Sequence, residues 1–191
     1  MKQVFDVAHD VHERLAAASI PHVIIGGLAV LAWGEVRVTN DVDISVLCPF
    51  GLEESRIDQL LALFPNHEIG AKEIATQYRI LPVKADNGIG IDIGIAGFQY
   101  EEDALARAQS VQLRTGQFLP VVGPEDLVVM KTFAGRPKDL MDVRTILIRQ
   151  RKTLDWSIIE GVLPGLLELK EEPDRWHWLL AERDQIEAEF G

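Results

Sequence analysis

Asp41-Val42-Asp43 places two carboxylates at i and i+2. On a strand, side chains so spaced share one face, about 7 Å apart at the backbone. Two carboxylates held side by side repel each other, and a divalent cation bound between them relieves the repulsion. Val42, Ile44 and Val46 alternate with Asp41, Asp43 and Ser45, which predicts a half-buried strand with an acidic face. A third acid, Asp92, interrupts the apolar run Ile89-Gly90-Ile91-Asp92-Ile93-Gly94-Ile95. A charge in such a run is costly unless it is paired, metal-bound or at an exposed edge. Asp92 is therefore either an acid on the open face of an edge strand or a third metal ligand. In the second case it is also placed to take a proton from an attacking hydroxyl.

Gly26-Gly27 follows the apolar run Val23-Ile24-Ile25 and precedes a helix pattern. Glycines there let backbone amides approach an anion, and the helix N-terminus adds unpaired N–H groups. A tight turn with close helix packing would need the same residues. Lys131, Arg136 and Lys138 form a basic cluster in an acidic chain. They either meet a triphosphate or pair with Asp139 and Asp142. Arg37 and Thr39 just precede the acidic strand, where they face a nucleotide or belong to loop surface. The five histidines, which include His9 and His12, have no evident third ligand, and Cys48 has no partner base, so both are read as structural. Trp156, Trp176 and Trp178 are read as packing residues of terminal helices.

The pattern Ile25-Gly26-Gly27, then Arg37-Val38-Thr39-Asn40-Asp41-Val42-Asp43-Ile44, with Asp92 on a later strand, resembles the nucleotidyltransferase superfamily typified by DNA polymerase beta. The segment Pro124-Glu125-Asp126-Leu127-Val128-Val129-Met130-Lys131, with Gly135-Arg136-Pro137-Lys138-Asp139-Leu140-Met141-Asp142, resembles the AbiEii-like toxin nucleotidyltransferases within it. The resemblance covers roughly residues 20–150. It implies that Gly26 and Gly27 line a triphosphate, that Asp41, Asp43 and Asp92 hold two magnesium ions, and that Asp92 is the base. It further implies that Lys131 and Asp139 belong to the nucleotide site, and Thr39 is assigned to that site from its place just before the acidic strand. Many AbiEii-like toxins are longer, which leaves the acceptor open.

The elements that must position these groups follow from periodicity. Residues 2–18 read as a helix, His22 to Ile25 as a strand, and Leu28 to Trp33 as a short buried helix stopped by Gly34. Residues 52–64 read as an amphipathic helix. Thr76 to Val83 and Ile89 to Ala96 read as strands joined by the turn Asp86-Asn87-Gly88. Two short strands flank Thr115-Gly116. Helices begin at Pro124 and Pro137, and further helices surround a break at Pro164-Gly165. The fold class expected is α+β, a small mixed β-sheet with flanking helices. A core over residues 1–122 is followed by a C-terminal helical region, 123–191, packed on it.

With 191 residues and 47% hydrophobic content the chain can bury a real core. No apolar run is long enough to span a membrane, and the N-terminus lacks signal-peptide character. A single cysteine fits a reducing, cytoplasmic setting. The net charge of −11 argues against broad attraction to nucleic acid. Much of the excess acid lies at Glu53-Glu54, Glu101-Glu102-Asp103 and Glu171-Glu172, read as solvated surface. The expected activity is metal-dependent transfer of a nucleoside monophosphate from a triphosphate to a hydroxyl on RNA, protein or a small molecule. A protein partner and a toxin–antitoxin or defence setting go with that reading. The alternative is a non-catalytic module of the same fold that binds a nucleotide or a partner.

Overall fold

The computed structural model describes residues 3–190. Its elements group into two compact units, Met1–Ala29 with Val38–Val122, and Val30–Arg37 with Gly123–Gly191.

The first unit is built on a sheet of strands β1 (His22–Ile24), β2 (Asp41–Leu47), β3 (Ile80–Lys84), β4 (Gly90–Ala96), β5 (Gln109–Arg114) and β6 (Gln117–Val121), in the order β3-β4-β2-β1-β6-β5. The sheet is mixed. β2 runs parallel to β4 and β1 parallel to β6, and the other neighbours are antiparallel. The β3–β4 turn is the expected hairpin. Helix α1 (Val4–Ala17) buries Val7, Ala8, Val11 and Leu15, the face that its helical spacing predicts. It lies on the side of the sheet that also buries Ile91. Val7, Val11 and Ile91 line a cleft of about 390 Å³ there, with Phe64 and the 84–87 turn.

Two expectations fail in this unit. The strand expected to start at Thr76 starts at Ile80, because residues Ala71–Tyr78 form a helix, α4. Ala71 and Ala75, one helical turn apart, are the residues it buries, and Arg79 closes it at φ 56°. Helix α5 (Gln99–Ala106) takes in the acidic run at Glu101. Glu101 is more than solvated surface, since its carboxylate accepts from the N–H groups of Gly97 (2.7 Å) and Phe98 (3.0 Å). Helix α3 (Glu53–Leu63) forms as expected and buries Ile57 and Leu60.

Two histidines join α1 to β1. The Nδ1 of His22 lies 2.7 Å from the Ile20 carbonyl, which can only accept, so His22 Nδ1 carries a hydrogen. In the neutral ring, His22 Nε2 then accepts from His12 Nδ1, 2.7 Å away. Burial lowers the pKa of both rings. A neighbouring histidine lowers each further (His9 for His12, His12 for His22), against the raising effects of Glu13 and of the Ile20 carbonyl. The unfolded chain therefore takes up these protons first as pH falls. The stability that the neutral pair contributes is complete above about pH 6.5 and is lost below it. Thermal melts between pH 7.5 and 5 should show this fall, and His22→Gln should flatten it. Equal slopes for the two proteins would refute the assignment.

The second unit is helical. Helices α6 (Pro124–Ala134) and α7 (Pro137–Gln150) each begin with proline at the first turn, where the missing N–H costs nothing. Gly135, in the left-handed region at φ 66°, ends α6. Helix α8 (Trp156–Leu169) is capped by Asp155, whose carboxylate accepts from the Ser157 N–H at 3.0 Å. The expected break at Pro164-Gly165 does not occur, because α8 runs through it. Pro164 removes one hydrogen bond, but Ile159, Leu163 and Leu167, four residues apart, are fully buried and hold the helix across that point. The chain breaks instead between α8 and α9 (Asp174–Phe190). The segment before Arg37 is held here too. Gln150 donates to the Trp33 carbonyl (2.9 Å) and Arg149 to that of Gly34 (2.6 Å).

Candidate active site

The parallel pairing of β2 with β4 sets Asp43 directly beside Asp92 and Asp41 beside Gly90. Residues in register on neighbouring strands point to the same side, so Asp41, Asp43 and Asp92 share one face. Their neighbours Val42, Ile44, Ile91 and Ile93 are buried on the other. On the acidic face β4 reads Gly90, Asp92, Gly94. A side chain added at Gly90 would meet nothing within 4 Å, and one at Gly94 would meet only the Ile44 carbonyl, at 3.7 Å. The strand thus leaves space on both sides of Asp92.

Each acid has a distinct environment. Thr39 Oγ1 donates to Asp41 Oδ1 at 3.0 Å. Asp92 keeps an exposed edge, yet partial burial and the charge of Asp41 raise its pKa. Such a carboxyl holds its proton more readily than an ordinary one, as a base that must accept a proton does. Asp43 Oδ2 accepts from the Gly27 N–H at 3.2 Å. Gly27 lies at the start of helix α2 (Gly26–Trp33), so the positive end of that helix favours the charged carboxylate.

Gly26 must be glycine for two reasons. It sits in the left-handed region at φ 60°, and a β-carbon there would stand 1.9 Å from Asp43 Oδ2. The backbone strain of Gly26→Ala alone costs about 1–2 kcal/mol, and displacing Asp43 adds to it. We expect a drop in thermal midpoint of several degrees, and an unchanged melt would refute the assignment.

The acids fit a divalent cation in donor type, since all are hard oxygen ligands of the kind magnesium takes, and in charge. Among the described residues no three acidic, histidine or cysteine side chains stand together as a ready metal-holding group. Asp43 in particular is engaged at Gly27.

Lys131 and Asp139 lie in the second unit and meet each other there. The Lys131 ammonium is 2.9 Å from Asp139 and 2.8 Å from Asp142, and all three side chains are at least nine-tenths buried. Arg37 closes the network with a two-pronged contact to Asp142, Nε to Oδ1 at 2.7 Å and Nη2 to Oδ2 at 2.9 Å. Arg136 contacts Asp139 at 2.6 Å from an exposed position. Burial would raise both carboxyls, but hydrogen bonds from Arg136 and Lys131 to Asp139, and from Arg37 and Lys131 to Asp142, hold them below the ordinary range. Asp142 therefore serves Lys131 and Arg37 rather than bracing its own helix through Lys138, as spacing alone suggests. The Arg37–Asp142 pair spans 105 residues, and no local signal announces it. Cys48 is buried, and burial pushes its thiol pKa up, in keeping with a structural role.

A family model described as "Nucleotidyl transferase of unknown function (DUF2204)" matches residues 4–171. The chain belongs to this nucleotidyl transferase family. Its fold is similar to that of an antigenic nucleotidyltransferase-like protein from Paracoccidioides brasiliensis, at a TM-score of 0.51 and 17% identity over 94% of this chain and 93% of that one. It is also similar to the solution structure of the antibiotic-resistance factor ANT(2'')-Ia, at 0.53 and 13% identity over 91% and 96%. The crystal structure of ANT(2'')-Ia in complex with adenylyl-2''-tobramycin gives 0.50 and 14% identity over 87% and 98%. At these identities the likeness is one of fold. None of the three is described as an AbiEii-like toxin, so that narrower likeness rests on the segments quoted above alone. Comparison with curated proteins finds no match. No helix among the described residues of this nucleotidyl transferase is long and apolar enough to cross a membrane.

Proposed function

We propose that this nucleotidyl transferase moves a nucleoside monophosphate from a nucleoside triphosphate to a hydroxyl of an acceptor, releasing pyrophosphate. The observation that carries the reading is the register of β2 and β4, which sets Asp43 beside Asp92 on a face cleared by Gly90 and Gly94. Asp92 accepts the proton of the acceptor hydroxyl. The oxygen then bonds to the α-phosphorus as the bond to the pyrophosphate oxygen breaks. Asp41, oriented by Thr39, holds magnesium together with Asp43 and Asp92. Two bound magnesium ions would supply charge neutralisation at the triphosphate and acidify the attacking hydroxyl. Gly26 and Gly27 receive phosphate oxygens at the N-terminus of α2.

The net charge of −11 favours a neutral or cationic acceptor over a polyanion. A small hydroxyl-bearing molecule suits this better than RNA. ANT(2'')-Ia, with a product-bound structure holding adenylyl-tobramycin, gives a precedent on the same fold. The test is incubation with each α-labelled triphosphate and magnesium in cell extract, followed by separation of small molecules, RNA and protein. Label in the small-molecule fraction, lost in Asp41→Ala, is the expected result. Label in none of the fractions with any triphosphate would overturn the reading.

A further inference from the structure

Transfer at this face has a direction, and the strand order supplies it. The glycine turn that receives the triphosphate follows β1, and from β1 the sheet runs through β2 and β4 to its edge at β3. In-line displacement puts the attacking oxygen opposite the leaving pyrophosphate. With pyrophosphate on the β1 side, the acceptor has to come from the β3 side, over Asp92.

Strand β3 presents an apolar surface there. Its register with β4 sets Pro82 beside Asp92, Ile80 beside Gly94 and Lys84 beside Gly90. Residues so paired point to the same side of a sheet. Ile80 and Pro82 therefore share the face of Asp92, while Leu81 and Val83 are buried on the other side with Ile93 and Ile91. Ile80 is 46% exposed. It stands over the clear position at Gly94, diagonal to Asp92. Lys84, the charged member of the row, is spent on Glu68 at 2.6 Å. Edge strands commonly carry charge or proline against stray pairing. Pro82 serves that end, but an exposed isoleucine works against it, so edge protection does not account for Ile80.

Given nucleotidyl transfer at this face, on which the inference rests, we propose that Ile80 and Pro82 form the acceptor shelf, and that the acceptor is a small alcohol with an apolar flank. Its hydroxyl reaches Asp92 while its hydrocarbon flank covers Ile80 and the space over Gly94. The hydroxyl oxygen bonds to the α-phosphorus, its proton passes to Asp92, and the bond to the pyrophosphate oxygen breaks on the side of Gly26 and Gly27. A polyanion would set its charge on an apolar shelf beside three carboxylates, and a molecule hydroxylated all round would desolvate hydroxyls against Ile80.

The probes are 1,2-hexanediol and glycerol, which share a vicinal diol and differ in the hydrocarbon tail. Each is incubated with α-labelled triphosphate and magnesium, and the labelled ester is measured. The parent should favour 1,2-hexanediol by at least about tenfold in kcat/KM. Ile80→Asn, which leaves the charge of the face unchanged, should bring the ratio to within about twofold of unity, and Ile80→Val should keep most of it. The KM for triphosphate should stay within about twofold in all three proteins, since the donor lies on the other side of the acids. Ile80→Thr, a β-branched replacement that suits a strand, repeats the test should Ile80→Asn fail to fold. A parent without the preference, or a preference that survives in the Asn or Thr variant, would overturn the proposal. A second readout is structural. In 13C-methyl spectra with magnesium and a non-hydrolysable triphosphate, 1,2-hexanediol should shift the Ile80 methyls and spare those of Ile74, which is 41% exposed on α4. Equal shifts at both would mean indiscriminate apolar contact and count against the shelf. Triphosphate binding with magnesium but no transfer to either alcohol sinks the shelf alone. No magnesium-dependent binding of any nucleoside triphosphate sinks the nucleotidyl-transfer reading beneath it.

Discussion

Asp92→Asn is expected to lower the rate of nucleotidyl transfer by at least about 10³-fold, through loss of both a base and a metal ligand. It should do so without destabilising the protein. The sign follows from its electrostatics. Burial and the neighbouring Asp41 raise the Asp92 pKa above its unfolded value. A carboxyl shifted in that direction contributes stability only below the unfolded pKa, and the contribution is lost as pH rises through the folded one. At neutral pH the ionised Asp92 is therefore a net liability to the metal-free fold. The amide keeps the shape and removes the charge, so the melting temperature of Asp92→Asn in EDTA should equal or exceed that of the parent. Magnesium should reverse the order, because a cation that binds only the folded parent stabilises it by mass action and does less for the variant. Turnover with labelled triphosphate and paired melts in EDTA and magnesium check both halves. Retained turnover refutes the catalytic role, and a lower melting temperature in EDTA refutes the electrostatic account.

The acidic face shows which parts of such a site a sequence makes legible. Asp41 and Asp43 could be placed on one side of a strand because alternation with Val42, Ile44 and Val46 is local information. Asp92 could be placed on a strand for the same reason. That the two strands are parallel neighbours with Asp43 against Asp92 is decided by packing across the sheet, and no spacing encodes it. The turn of Asp43 onto Gly27 is invisible for the same reason, since both partners look complete without it. Local reading failed where two periods overlap. Thr76, Tyr78 and Ile80 alternate like a strand, but Ala71 and Ala75 bury themselves one helical turn apart and draw Thr76 to Tyr78 into α4. Pro164 was read as a break because its own backbone chemistry says so. Tertiary burial of Ile159, Leu163 and Leu167 overrides that preference.

Lys131 presents the sharpest choice between two roles, and stability separates them. Its ammonium has 8% side-chain exposure, and Asp139 and Asp142, at 3% and 5%, stand within 3 Å of it. Lys131→Met leaves two buried carboxylates to be served by Arg37 and Arg136 alone. Breaking a buried ion pair from one side costs about 3–5 kcal/mol, because the remaining charge stays desolvated. We expect a loss of that size at pH 7 in urea unfolding of the second unit. Trp33, Trp156, Trp176 and Trp178 all lie in that unit, so tryptophan fluorescence reports on it. The deficit should shrink toward pH 4. In the parent, Asp139 and Asp142 sit below their unfolded pKa values, so their contribution persists above about pH 4 and is lost only as pH falls through the lower folded values. Without Lys131 both carboxyls rise, take up protons sooner, and the orphaned charge is relieved. Adding Asp139→Asn to Lys131→Met should recover part of the loss at pH 7, the coupling expected of groups in one network. A lysine whose sole task were to meet a triphosphate would behave in the opposite way. Lys131→Met would then weaken nucleotide binding and leave unfolding within about 0.5 kcal/mol of the parent, as surface substitutions do.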